Sequence, residues 1–237
     1  MSDSLISIIL PVYNQADHIG EIVHQYEAAL TKIQNPYELI LVLNACRDRS
    51  LEVCQALAEQ YPSIRIVDIP QGGWGIAVKT GLEAAKGEFL CYTNSARTSP
   101  QDLVLCLLYA VVYPQVAIKA NRKIRDSWRR RLGSLLYNLE CRAFFDLPTW
   151  DINGTPKVFP RSMTKLLALT REDDLIDAEF NIICRYENYP VLEVPILSTR
   201  RHGGKSTTNY GSALKMYWGA YQLKRAFKQT VGYDKSV

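Results

Sequence analysis

The 237-residue chain is 47% hydrophobic and 22% charged, which excludes a disordered or fibrous protein and leaves enough apolar residues for a sizeable core. Its net charge of +4 is unevenly spread: residues 1–118 carry 7 Lys+Arg against 12 Asp+Glu, and residues 119–237 carry 21 against 12. A basic second half is expected to meet something anionic: phosphate, nucleic acid or a membrane surface.

The first apolar run, SIILPV at 7–12, reads as a strand entering a Pro-Val-Tyr-Asn loop. Residues 17–32 have helical spacing, with Ile19, Ile22, Val23 and Tyr26 on one face and Asp17 as the N-cap. The alternation continues with strand 38–43, helix 49–61, strand 64–69 and a helix at 75–86 stopped by Gly87. Strand 88–93, an apolar helix at 100–113 and strand 116–120 complete it. Strands apolar on both faces, alternating with helices, predict a mainly parallel sheet covered on both sides. From residue 121 the regularity ends. A long basic, aromatic helix at 127–145 precedes a loop at 151–156, a helix from Arg161 and a helix at 177–186. A strand at 191–198 and an aromatic, basic helix at 211–228 follow. With no linker or low-complexity segment, residues 1–237 are expected to form one domain with halves 1–120 and 121–237.

No basic stretch precedes the first apolar run, and the longest apolar stretch, 103–113, is about half the ~20 residues of a spanning helix. A cytoplasmic protein, soluble or peripheral to the membrane, is expected. Cys46, Cys54, Cys91, Cys106, Cys141 and Cys184 form no Cys-x-x-Cys pair, so reduced core thiols are expected rather than zinc or disulfides.

Ligands of open α/β sheets sit beyond the carboxyl ends of the strands, here residues 11–15, 43–48, 71–75 and 94–98. Gln71-Gly-Gly-Trp-Gly75 lacks the third glycine of a dinucleotide fingerprint, follows the third strand, and has Asn94 where an acid should end the next strand. It reads instead as a turn and a close helix start. His18, His24 and His202 do not cluster with cysteines or carboxylates, so neither a histidine metal site nor a catalytic triad is expected.

The N-terminal half carries a more specific signal. ISIILPVYNQ at 6–15, ELILVLN at 38–44 with Asp48 and Ser50 beyond it, and GWGIAVKTGLEAAKGEF at 73–89 resemble the opening of the family 2 glycosyltransferases. That resemblance implies the GT-A fold, a Rossmann-like α/β/α sandwich with a mainly parallel central sheet, and sugar transfer from a nucleotide-sugar donor. It extends to residue 206: KANR at 119–122, WRRR at 128–131 with Ser134 and Asn138, DINGTPKVF at 151–159, EVPI at 193–196 and RHGGKS at 201–206 are similar to the polyprenyl-phosphate branch typified by dolichyl-phosphate mannosyltransferase. It implies that Pro11, Val12, Tyr13, Gln15, Leu43, Asn44, Lys79, Asn94, Ser95 and Ala96 line the site for a GDP- or UDP-hexose. Arg122, Arg130, Ser134, Arg201 and Ser206 would grip a lipid-phosphate acceptor. Asp177 and Glu179 stand where the family has an acidic acceptor-side pair, and Asp151 is a further carboxylate candidate.

The departures concern the metal. Asn94, Ser95 and Ala96 stand where the family carries Asp-x-Asp, Asn44 ends the second strand where an Asp pair is usual, and Gln15 replaces a Glu. Mg²⁺ and Mn²⁺ prefer anionic oxygen ligands, so no metal site is expected from these residues. Three explanations stay open. Arg97 or Lys79 neutralises the donor diphosphate directly; the donor is of another kind, such as a lipid-linked sugar; or the chain is a non-catalytic binding or scaffold protein.

A phosphate acceptor, with its second pKa of ~6, is already ionised near neutrality and needs no strong general base. Residues 200–228 hold seven basic residues and no acidic one, interleaved with Trp, Tyr and Phe. Helices of that kind suit an anionic membrane surface, whereas no nucleic-acid-binding module is recognisable. The expected activity is hexose transfer to a polyprenyl phosphate at the membrane face, with weak or absent metal dependence.

Overall fold

The computed structural model of the chain describes residues 4–123, 128–197 and 217–225, with side chains from residue 132 onward in the helix beginning at 128. Seven strands, β1 (Ile6–Val12), β2 (Tyr37–Asn44), β3 (Ile64–Ile69), β4 (Phe89–Tyr92), β5 (Ala117–Arg122), β6 (Lys157–Pro160) and β7 (Val191–Ile196), form one sheet. Their order is β3-β2-β1-β4-β6-β5-β7. β1, β2, β3 and β4 run parallel, β7 runs parallel to β5, and β6 is antiparallel to both its neighbours. The expected mainly parallel α/β sandwich is the observed one.

The helices are α1 (Ile19–Leu30), α2 (Ser50–Gln60), α3 (Trp74–Ala84), α4 (Pro100–Val112), α5 (Trp128–Phe145) and α6 (Ile176–Tyr186). The apolar stripe read in α1 is buried, as are both faces of β1 and nearly all of β2. One core cluster packs α1, α2 and α4 against one face of the sheet, and a second packs α3 and α6 against the other. A third joins α5, α6 and the helical segment 217–225. α4 starts where Ser99 Oγ accepts from the Asp102 amide at 3.1 Å, with Pro100 in its first turn. Five of the six thiols are buried and none is in a disulfide, in keeping with core cysteines.

Three local expectations are corrected. Asp17 does not cap α1: the helix starts at Ile19, and His18 before it makes no side-chain cap. Residues 157–160, expected to link a loop to a helix, form the buried strand β6. The helix expected from Arg161 is only a 3-10 turn at Thr164–Leu167. Pro156 and Pro160 bracket only three residues, too few to display a strand period, and the lysine among them masks their burial.

Candidate active site at the carboxyl edge of the sheet

Because β1, β2 and β4 are parallel, their carboxyl ends meet on one edge, and the loops after them are tied side chain to backbone. Asn44 Nδ2 donates to Val12 O at 2.8 Å, and Asn44 Oδ1 accepts from the Gly73 amide at 3.3 Å. The Ser95 hydroxyl donates to Gln15 Oε1 at 2.7 Å, and Asn94 Oδ1 accepts from the Ala96 amide at 3.0 Å. Asn14 and Ala45 are held at φ 48° and 52°, left-handed conformations disfavoured for residues with a Cβ. Burial would raise the Asp48 carboxyl pKa, but hydrogen bonds from Ser50 and from the Ala16 and Ser50 amides outweigh it and hold it below the usual range. Pro11, Val12 and Leu43 are buried beneath this edge, while the Tyr13 ring stands exposed above it.

The donor set here does not suit a divalent cation. Asn94 Oδ1 is already bonded within its own turn, the Ser95 hydroxyl is turned to Gln15, and Ala96 has no donor atom. Among the described residues no group of three His, Cys, Asp or Glu side chains is placed to hold a metal ion. Arg97 follows in the same turn, its amide donating to Asn94 O at 3.2 Å and its side chain half-buried.

The glycines at 73 and 75 have a packing role. Gly73 lies at φ 153°, and a Cβ on Gly75 would come within 2.5 Å of Glu172 C. The loop 170–173 lies against the first turn of α3, and its Glu172 carbonyl accepts from the Ile76 amide at 3.0 Å. Lys79, expected at the donor diphosphate, instead donates to Thr170 O at 3.3 Å and pairs with Glu172 at 3.5 Å.

Farther along the same edge, beyond β5 and before β6, lies a cleft of about 280 Å³ lined by Asn121, Arg122, Lys123, Ser134, Leu135, Asn138, Trp150 and Asp151. The Arg122 guanidinium grips Asp151 through Nε at 2.8 Å and Nη2 at 2.7 Å, and its amide donates to the same carboxylate at 2.9 Å. Burial would lower the Arg122 pKa, but Asp151 more than reverses this and keeps the guanidinium charged. Two of its five N–H donors go to Asp151, leaving three that an oxyanion in the cleft can use. Asp151 is at φ 47°, and a Cβ on Gly154 would lie 1.9 Å from Ala120 O, so only glycine lets this loop lie against β5.

Behind the cleft is a buried ionic layer. Lys119 and Lys157 are paired across β5 and β6, and both are fully buried. Lys157 is paired with Asp177, which also accepts from the Tyr92 hydroxyl at 3.2 Å. Lys119 donates to Trp150 O at 2.6 Å and to Glu193 Oε1 at 3.2 Å. Burial, with Lys157 adding to it, pushes the Lys119 pKa down from 10.5 to about 8. Burial also lowers the Lys157 pKa, against the pull of Asp177.

The structure thus ties Asn44 to Val12 and Ser95 to Gln15 in two separate hydrogen-bonded pairs on one edge, and places Arg122 and Ser134 in one cleft. It separates Asp177 from Glu179. Side chains two apart on a helix do not face each other. Glu179 accepts from the Thr170 hydroxyl at 2.6 Å and the Arg171 amide at 2.9 Å, whereas Asp177 turns to Lys157 and Tyr92. The Arg130 side chain, Arg201 and Ser206 lie outside the described residues. Lys119, Lys157, Trp150 and the pairing of Glu193 escape the sequence reading. A lysine inside an apolar strand was the available signal, since a buried ammonium requires a carboxylate.

A mostly parallel sheet with helices on both faces and loops gathered at the carboxyl ends of its strands defines an open α/β architecture that binds its ligands on that edge. The family model for glycosyl transferase family 2 matches residues 7–166, and the chain belongs to that family. It is 28% identical over 173 residues to an undecaprenyl-phosphate 4-deoxy-4-formamido-L-arabinose transferase from Pseudomonas aeruginosa, covering 71% of this chain and 50% of the relative. Its counterpart from Pseudomonas fluorescens is 25% identical over 202 residues, covering 84% and 59%. The chain therefore spans about half the length of these curated relatives. A crystal structure of glucosyl-3-phosphoglycerate synthase from Mycobacterium tuberculosis, with Mn²⁺, UDP-glucose and phosphoglyceric acid, superposes with a TM-score of 0.73 at 15% identity, covering 94% of this chain and 80% of that one. At that identity the likeness establishes the GT-A-like fold alone.

Proposed function

We propose that the chain transfers a hexose from a GDP- or UDP-hexose to a polyprenyl-phosphate-type acceptor at a membrane surface, without a divalent ion in the Asp-x-Asp position. The observation that carries the acceptor class is the cleft at Arg122, where a charged guanidinium with unused donors and the Ser134 position lie beside the apolar Leu135 and Trp150. Such a lining suits an anion with an apolar tail. The relatives named for undecaprenyl phosphate support the same class, and the structural neighbour crystallised with UDP-glucose supports a nucleotide-sugar donor.

In the proposed reaction a phosphate oxygen of the acceptor attacks the anomeric carbon in line. The bond from that carbon to the donor diphosphate breaks, the nucleoside diphosphate leaves with the electron pair, and the configuration inverts. An ionised phosphate has no proton to lose in this step. That fits the internal engagement of Asp177 and Glu179, which act as positioning residues: one anchors Lys157 behind the cleft, the other holds the 170–171 loop. Arg97 is assigned to the departing diphosphate, since guanidinium matches phosphate oxygens.

Membrane contact is supported by apolar surface beside the cleft. α5 exposes Leu132, Leu135, Leu136 and Leu139, and the adjoining segment 217–225 exposes Trp218 and Tyr221. Tyr217 joins the two helices by donating to Gly133 O at 2.7 Å. Among the described residues no helix is long and apolar enough to cross a membrane. A second reading, a binding protein without turnover, is favoured by the missing carboxylates at Asn94 and Ala96. Incubation with radiolabelled UDP- and GDP-hexoses and either a polyprenyl phosphate or the free polyprenol separates the two. Labelled lipid from the phosphate alone supports transfer; nucleotide binding with no product from any pair supports the binding protein.

A further inference from the structure

Among the described residues Trp150 is the one large aromatic lining the cleft, and it is 43% exposed. Exposed tryptophan on a loop is ordinarily free to turn aside, but this loop is pinned at each residue. Arg142 Nη1 donates to Pro148 O at 3.1 Å and to Thr149 O at 3.2 Å, while the Thr149 hydroxyl donates to Asn181 Oδ1 at 3.0 Å. Both backbone groups of Trp150 are held by one ion pair, its amide donating to Glu193 Oε2 at 3.0 Å and its carbonyl accepting from the buried Lys119 at 2.6 Å. The next residue, Asp151, is locked to Arg122.

The ring itself is supported, with the Arg142 guanidinium 4.0 Å from its centroid. A cation stacked on an aromatic face stabilises it and fixes its plane. Burying a lysine ammonium is costly unless it is paired, and here the buried Lys119 and its partner Glu193 both spend hydrogen bonds on the backbone of this one exposed residue. The indole shares the cleft with Leu135, an apolar side chain on α5, and with the cationic Arg122 and Lys123.

From this juxtaposition we infer that Trp150 is a specificity-determining residue: together with Leu135 it holds the first apolar segment of the acceptor, the hydrocarbon attached to the phosphate that Arg122 grips. The inference rests on the acceptor class proposed above and adds the residue by which the site tells a lipid phosphate from a free phosphate. A fixed apolar wall adjoining a phosphate grip favours the lipid in proportion to the apolar area it covers.

The test is calorimetric titration of the whole chain with farnesyl phosphate and, separately, with inorganic phosphate, for wild type, Trp150→Ala and Trp150→Phe. Wild type is expected to bind farnesyl phosphate at least about tenfold more tightly than inorganic phosphate, Trp150→Ala to lose most of that ratio with inorganic phosphate unchanged, and Trp150→Phe to keep most of it. Thermal melting confirms that each variant is folded, and Trp150→Gln, polar and expected to lose most of the ratio as Trp150→Ala does, replaces Trp150→Ala if that variant is not. If both phosphates bind but the ratio is the same in all three proteins, the assignment of Trp150 is overturned while the phosphate site stands. If neither phosphate binds wild type, the acceptor reading falls and takes this inference with it. A Trp150→Ala defect confined to the KM for the nucleotide sugar would place the indole against the donor and overturn the inference.

Discussion

The two ends of the ligand edge are built on opposite electrostatic plans. Around β1, β2 and β4, the positions expected to bear acids carry Gln15, Asn44, Asn94 and Ala96, each engaged in a neutral hydrogen bond. Around β5 and β6, three cations and three carboxylates are packed into matched pairs: Arg122 with Asp151, Lys157 with Asp177, and Lys119 with Glu193. Leaving one partner of a buried neutral hydrogen bond unpaired costs about 1–3 kcal/mol, whereas breaking a buried ion pair strands a charge and costs about 3–5 kcal/mol. Substitution is therefore expected to cost more in the second region than in the first.

The largest effect should come from breaking a pair behind the cleft. Asp177→Ala leaves Lys157 buried without its carboxylate and is expected to cost about 3–5 kcal/mol in chemical denaturation. Adding Lys157→Met should recover much of that loss, and failure to do so would mean that the pair is not the cause. Next is Arg122→Ala, expected to lower kcat/KM for the lipid phosphate by about 100-fold, equivalent to about 2–3 kcal/mol, with the KM for the nucleotide sugar unchanged. A similar loss with both substrates would erase the division between the two regions.

The pH dependence of stability separates them more finely. Lys119 titrates at about 8 in the folded protein against 10.5 for an ordinary lysine. Between those values the unfolded chain holds a proton that the native state has shed, so this group's contribution to stability rises with pH from about 8 and levels off near 10.5. Wild type should accordingly gain about 2 kcal/mol relative to Lys119→Met between pH 7 and 9.5, read from paired denaturation curves. A flat difference would deny the buried charge.

The smallest effect belongs to the neutral region. Asn94→Asp combined with Ala96→Asp restores two carboxylates, and Mn²⁺ should then raise the Tm of the variant by a few degrees, about 1 kcal/mol, while leaving wild type unmoved. An equal Mn²⁺ shift in wild type would reveal a cation site that the donor set does not suggest.

The parallel sheet was legible because its strands are apolar on both faces and its helices keep a clear 3.6-residue period, as Ile19, Ile22, Val23 and Tyr26 illustrate in α1. β6 was not, since a four-residue strand ending in Pro160 is too short to show a period. The donor-edge residues could be located because strand ends position them; the side-chain partners of Lys79, Asp177 and Glu179 could not, because they depend on the 170–173 loop and on a strand pairing far away in sequence. Glycines 73 and 75 were readable as enabling a close approach, although not what approaches. Trp150 carries no pattern at all. Its place becomes visible only when Lys119, Arg142 and Glu193, from three separate elements, converge on it.

The central claim is sugar transfer to a lipid phosphate without a divalent ion at Asn94–Ala96. It is tested most directly by the initial rate of lipid glycosylation from a nucleotide hexose, measured in excess EDTA and again with Mn²⁺ restored. The account predicts labelled polyprenyl-phosphate sugar at nearly the same rate in both. A rate that vanishes in EDTA and returns with Mn²⁺ would contradict it.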